Sequence, residues 1–422
     1  MRTHRGAWSI AAMVAAGSLV LAGCTQAGPD DGLRVGQGEY RAVALADAVA
    51  ADDVVAATWA LGFAALRAAE ADGDGSGAVV SPSSLVTALA MVAEGAVGDE
   101  AGPFDEALGA GGPQRTAAVA ALQDALARYD GDPAVVQDDE LPDVPMVHTA
   151  QRVVVDDDAE PQQEFLDRLV QGFDAGVAVA DLGSSSSKKM LDAFVREHTG
   201  GLIERSALEP DPDAVAALQD AIVLAAAWQH PFVEAFTHDD EFTTAAGNVV
   251  QVPTMEGMHD VPAVEEDGWV AVRLPYTDDL AADLLLPPAA PYRPATSDAA
   301  RVAALSRSLD TQSNEQVLVT LPRLDLTSRT DLMPLLTELG VADVSLSGIA
   351  DTPVDLMQAA QQAVLRVDEA GTRAAAVTEV MAGEAAPVAT REVRFDRPFL
   401  LVVRDVTTGW PLFLAFVADP TL

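Results

Sequence analysis

The sequence predicts one large α+β domain over residues 48–422, and three observations point to it. Helical apolar spacing dominates the first half of the chain. Short strand-like runs bounded by Gly, Pro or Asp dominate the second half, with helices interleaved. No internal repeat divides the chain, and 422 residues with 49% hydrophobic content can bury one large core.

Ahead of that domain, Arg2, His4 and Arg5 precede an apolar stretch over 7–22, the pattern of a secretory signal. Leu21-Ala22-Gly23-Cys24 then resembles the bacterial lipobox, in which the cysteine receives the lipid. Residues 1–23 read as a lipoprotein signal peptide and 24–47 as a flexible tether. That places the chain on the outer face of the bacterial cytoplasmic membrane, or outside the cell if it is shed. The plainer alternative is an ordinary signal followed by a chance cysteine. Cys24 is the only cysteine, so no intrachain disulfide can form. No other segment reads as membrane-spanning.

Within the domain, Val54, Val55, Leu61, Phe63 and Leu66 give residues 47–69 an apolar helical face. Asp72-Gly73-Asp74-Gly75-Ser76-Gly77 begins like a calcium loop, but Ser83 stands where the bidentate Glu belongs, so a turn is the better reading. Ser81 is a helix N-cap with Pro82 at the first helical position and an apolar run to Val92. Residues 109–113 read as a loop, 153–155 as a strand end and 162–170 as an amphipathic helix. Residues 184–189 read as a loop leading into a helix over 191–198. Strands are expected over 221–228, 269–274, 280–286, 316–321, 363–367 and 399–403. A helix over 329–339 should end on Gly340.

The chemistry is defined largely by exclusion. A formal net charge of -40, with only Lys188 and Lys189 as lysines, repels phosphate backbones and argues against nucleic acid and polybasic membrane attachment. Ser-x-x-Lys occurs twice within 184–189 without its partner motifs, and no nucleophile elbow, zinc motif or nucleotide loop is found. His148, His198, His230, His238 and His259 are dispersed, without metal-ligand spacing. No metal, no cofactor and no catalytic set is expected, and the chain does not read as an enzyme. A surface hydrolase is the dissenting reading, with Ser81 or Ser185 as the serine to label.

The most informative segment runs over 367–398. Locally, residues 372–381 read as a short Ala-rich helix. With a period of two, Thr372, Ala374, Ala376, Thr378, Val380 and Ala382 form one small-residue face, opposite Arg373, Ala375, Val377, Glu379 and Met381. Such a segment can be exposed in one state and a strand in another.

Taken in order, the motifs resemble those of the serpins over essentially the whole domain. Ser81-Pro82-Ser83-Ser84, the turn Glu94–Asp99 and the strand ending at Trp228 occur in family order. So do Val252-Pro253-Thr254-Met255, Leu274-Pro275-Tyr276, Leu286-Pro287, Leu321-Pro322-Arg323 and Ser347-Gly348-Ile349. Residues 395–420 closely follow the family's C-terminal signature. The resemblance implies a serpin fold with three β-sheets, eight or nine helices and an exposed reactive-centre loop over about 369–394. It implies a monomeric, suicide-type inhibitor of serine proteases, acting by loop cleavage and insertion into the central sheet. The alternative is a non-inhibitory serpin-fold binding lipoprotein.

Carried over by position, Glu369, Gly371 and Thr372 match the hinge, and Ala374, Ala375, Ala376, Val377 and Thr378 match the small-residue tract of inhibitory members. Seventeen loop positions from Glu369 end at Ala385, giving Ala385–Ala386 as the reactive bond, with Glu384–Ala385 and Met381–Ala382 behind it. A small residue there suits elastase-like or subtilisin-like proteases. The sheet-opening region would comprise Ser81, Ser84, Asp220, Trp228 and Gln361. Gln361 stands where many members have histidine, and Asp220 where they have asparagine. An amide donates to a carboxylate, so this pair can keep its hydrogen bond. Asp220 also reads as a solvated strand end.

Overall fold

The computed structural model describes residues 32–421 except 74, 139, 289–291, 296, 353 and 373–388. Cys24, the small-residue tract from Ala374 to Thr378, and Met381, Ala382, Glu384, Ala385 and Ala386 lie outside the described residues.

The eight-stranded central sheet runs, edge to edge, through Leu33–Arg34, Val177–Ala180, Met146–Asp156, Ala216–Ala227, Gly371–Thr372, Val354–Val367 and Leu324–Asp331. Ser345–Leu346 pairs with the lower end of Val354–Val367. Ala216–Ala227 is apolar almost throughout because both of its faces are covered. Beneath the sheet lies Pro82–Ala93, whose every residue is buried, as expected of a helix apolar all round. Across the other face lies Ser185–His198, which packs Leu191 on Val154 and Ala217, and Phe194 and Val195 on Ala221 and Val364.

The remaining strands form a second, nine-stranded network. Its long strand Val249–Glu266 pairs with His238–Thr243 and Asn314–Pro322 and, at its far end, with Trp269–Pro275. The expected three-sheet count thus resolves into a central sheet and two sheets sharing one strand. Phe399–Asp405 and Pro411–Val417, buried at every position, form its core. Eight α-helices are present among the described residues. Ala51–Asp72 is long and apolar enough to cross a bilayer by length and composition. Its Val54, Phe63, Ala65 and Leu66 are instead buried within the fold.

Three expectations are corrected. The 24–47 tether is not free throughout: from Gly32 onward the chain is docked, with Leu33 and Arg34 paired to Ala178 and Val177. The helix expected over 329–339 shrinks to Met333–Glu338. Arg329, Thr330 and Asp331 end an alternating edge strand, because pairing to Gln362, Gln361 and Ala360 takes their backbone groups. Residues 184–189 are mostly helical, since the Ser184 hydroxyl accepts from the Ser187 N–H and caps a helix that starts at Ser185.

Candidate functional site

The two central strands of the main sheet pair only along their lower halves. Val354–Val367 runs parallel to Ala216–Ala227, with Leu356 level with Ala216 and Gln362 level with Ala221. Above that rung the hinge enters between them. Gly371 and Thr372 pair antiparallel with Ala227 and Ala226, and Thr372 also pairs with Val367. The sheet is therefore a fork with the first hinge residues already seated in its mouth.

Two polar clusters hold this fork. The lower one lies at its crotch, where Gln361 is level with Asp220 and Asp220 is level with Gln151. Gln361 Nε2 donates to Asp220 Oδ2 at 2.8 Å and to the Ser81 carbonyl at 2.8 Å, while Gln361 Oε1 accepts from the Ser81 N–H at 2.9 Å. Gln151 Nε2 donates to Asp220 Oδ1 at 3.2 Å and lies 3.5 Å from Ser84 Oγ. Ser81 Oγ in turn caps the buried helix by accepting from the Ser84 N–H at 3.3 Å. Asp220 is only 5% exposed, so it is not a solvated strand end. Burial pushes its carboxyl up to about 6, and the hydrogen bonds from Gln361, Gln151 and Ser84 offset this only in part.

The upper cluster fastens the hinge. Arg323 grips the Glu369 carboxylate through Nε at 2.9 and 3.0 Å and through a terminal nitrogen at 2.6 Å, and the Thr237 hydroxyl donates to the same group. Burial raises the Glu369 carboxyl, but the bonds from Arg323 and Thr237 outweigh it and hold the group below its usual range. Trp228 donates from its indole to the Asp368 carbonyl at 2.9 Å, and its ring lies parallel to that of Tyr276 at 4.4 Å. The Tyr276 hydroxyl meets the Thr372 hydroxyl, which is 1% exposed.

The structure thus brings Ser81, Ser84, Asp220 and Gln361 together and places Trp228 elsewhere, at the hinge end with Glu369, Gly371 and Thr372. Trp228 is removed from the sheet-opening group because it follows the last residue of its strand, whereas Asp220 sits near the middle. Gln151, Thr237, Tyr276 and Arg323 belong to the site and were missed as site residues. Tyr276 and Arg323 sit in the Pro-containing motifs noted above, which was the available signal; Gln151 and Thr237 carry none. Among the described residues, no group of three or more His, Cys, Asp or Glu could hold a metal ion.

Gly371 has no room for a side chain. A Cβ there would lie 2.1 Å from the Ala226 carbonyl oxygen and 2.9 Å from Ala227 Cα. Gly371→Ala is therefore expected to expel the hinge from the fork, seen as faster amide exchange at Trp228, whose N–H donates to the Ala370 carbonyl at 2.9 Å; unchanged protection there would contradict the seating.

The family model described as Serpin (serine protease inhibitor) matches residues 56–420. Alpha-1-antitrypsin 1-3 of Mus musculus is 29% identical over 355 residues, covering 81% of this chain and 83% of its own length. An alpha-1-antitrypsin-like protein, GS55-MS, of Ictidomys tridecemlineatus is 32% identical over 249 residues, covering 57% of this chain and 59% of its own. Among solved structures, native tengpin, a thermophilic serpin, superposes with a TM-score of 0.72 at 20% identity, covering 91% of this chain and 97% of its own. Human thyroxine-binding globulin does so at 0.73 and 22%, covering 89% of this chain and all of its own.

Proposed function

The chain belongs to the serpin family, and on that premise we propose that it is a suicide-type inhibitor of serine proteases. The observation that carries this reading is the fork, open above Gln362 and Ala221 and primed by Gly371 and Thr372. A target serine Oγ attacks the Ala385 carbonyl carbon. The bond to the Ala386 nitrogen breaks, that amine takes a proton from the protease's general acid, and an ester joins Ala385 to the protease. Cleavage frees the loop arm to continue the strand that Gly371 and Thr372 have begun.

Continuing the register from Thr372 opposite Ala226 sets Thr378 opposite Asp220 and Ala382 opposite Ala216. The even-numbered residues from Thr372 to Ala382 then face the buried helix, and all are small or apolar, so the strand can enter without burying a charge on that face; Glu384 falls beyond the level of Ala216, where the central strand begins. The insertion must break the Gln361–Asp220 bond, and the Thr378 hydroxyl arrives level with the carboxylate to replace it. Insertion pulls on the ester and distorts the protease's oxyanion hole before water can attack. This chain supplies bait and a bistable fold, with no catalytic group of its own. It acts as a monomer on an elastase-like or subtilisin-like protease, held at a membrane by lipid on Cys24 or shed from it.

A non-inhibitory binding role is favoured by one observation, the Gln361–Asp220 hydrogen bond at 2.8 Å that ties the two strands together at the crotch and has to break before insertion. Incubation with elastase-, subtilisin-, chymotrypsin- and trypsin-like enzymes, with mass spectrometry of the released C-terminal peptide, tests the bait. A peptide starting at Ala386 is expected from the first two; cutting only after Arg391 or Arg394 would overturn the bait assignment.

A further inference from the structure

Where the N-terminal segment docks determines how the molecule stands. Leu33 lies level with Ala178, Ala178 with Val154, and Val154 with Ala217. The hinge enters opposite Ala226 on that same central strand. Ala226 lies nine steps along the strand from Ala217, about 30 Å. The chain therefore joins the sheet edge near the end opposite the fork's mouth.

The docking is specific. Gly32 adopts a left-handed φ of 59°, a Cβ there would lie 2.1 Å from the Val179 carbonyl oxygen, and its own carbonyl accepts from the Val179 N–H at 3.2 Å. The segment then crosses onto the helices behind. The Gln37 N–H donates to Asp167 at 2.6 Å and the Arg41 N–H to the Gln171 carbonyl at 3.0 Å. Asp124 accepts from the Tyr40 hydroxyl at 2.8 Å and the Val43 N–H at 3.0 Å. Seven residues separate Cys24 from Gly32. Fully extended, that connection spans no more than about 28 Å.

We propose that residues 32–47 hold this protein upright on a lipid surface attached through Cys24, with the hinge end of the central sheet pointing away from the lipid and the opposite end facing it. On the inhibitory reading above, a consequence follows for the captured protease. Continuing the hinge register sets Ala385 three residues beyond the level of Ala216, at the lipid-facing end. A protease first bound at the distal end is thereby carried down to the lipid. A partner of about 250 residues has a radius of gyration near 18 Å and so a diameter of roughly 45 Å, more than the span of the connection, so the captured protease is pressed against the lipid and tilts the molecule.

The sole cysteine permits a test that does not depend on lipidation in the cell. The chain from Cys24 to Leu422 is coupled by maleimide to lipid head groups in neutral vesicles carrying acceptor-labelled lipid. A donor is introduced as an unnatural amino acid at Met357 or at Phe236, which are 43% and 59% exposed at the lower and hinge ends respectively. Energy transfer at least three-fold stronger from Met357 than from Phe236 is expected, and the contrast should collapse in a Gly32→Val, Tyr40→Ala variant. Equal transfer from the two sites, or stronger transfer from Phe236, would overturn the orientation. With the donor on an elastase-like protease, transfer should be weak for a serine-to-alanine protease bound without reaction and strong for the covalent complex. Weak transfer in both states would overturn the delivery. If no covalent complex forms even in free solution, the inhibitory reading fails and the Met357–Phe236 contrast still decides the orientation.

Discussion

Thr372→Arg is expected to leave loop cleavage intact while abolishing inhibition. Thr372 is 1% exposed, paired on both sides to Ala226 and Val367, with its hydroxyl against the buried Tyr276. The aromatic pair Trp228–Tyr276 forms its surroundings, and the nearby Glu369 carboxylate is already taken by Arg323. A guanidinium at that point must be buried without a partner, which costs several kcal/mol, or keep the hinge out of the fork. Insertion competes with hydrolysis of the acyl-enzyme, and each ~1.4 kcal/mol added to the insertion barrier shifts that competition tenfold. A penalty of about 3 kcal/mol moves it roughly a hundredfold towards hydrolysis. Titration of protease activity should show turnover of the variant as a substrate, and Thr372→Ser should inhibit like the parent. One-to-one inhibition by the Arg variant would refute the seating of the hinge.

Asp220→Asn is expected to stabilise the uncleaved fold at neutral pH. The Asp220 carboxyl is raised from its ordinary 3.8 to about 6 by burial, so the native fold holds its proton more tightly than the unfolded chain. The stability linked to this group is fully present below the ordinary carboxylate range and is lost as pH rises through about 6. At pH 7 the lost amount is on the order of 3 kcal/mol. Asparagine keeps an oxygen for Gln361 Nε2, and Gln151 can rotate its amide to accept from the new N–H₂. The parent's thermal midpoint should therefore fall between pH 4 and pH 7 relative to the variant, with the two converging at low pH. A parallel pair of curves would show that Asp220 carries no buried charge.

Much of the fold was legible because it is written locally. Ser81 and Pro82 mark a helix start through capping and fixed φ, and the structure starts the helix there. The run Leu280–Leu286, apolar at nearly every position, reads as a covered strand and is one. Where local spacing misled, long-range pairing decided. Leu332, Leu335, Leu336 and Leu339 have helical spacing, yet Arg329 to Asp331 belong to a ladder with residues 360–362. The N-terminal segment is Gly-rich and polar, which reads as a tether, but backbone groups dock it, and composition does not encode those. At the site, Gln361 and Asp220 were named from the family pattern. The fork they lock depends on strands far apart in the sequence meeting over half their length, which no local pattern reveals.

The coupling of loop cleavage to strand insertion is tested most directly by one experiment on one sample. The chain is mixed with an elastase-like protease, resolved by denaturing electrophoresis, and the cleaved fraction is taken through thermal unfolding. A band at the summed mass that survives SDS, together with cleaved chain that unfolds well above the intact chain, is the expected result. Complete cleavage with no such band, and a cleaved chain that unfolds no higher than the intact one, would contradict it.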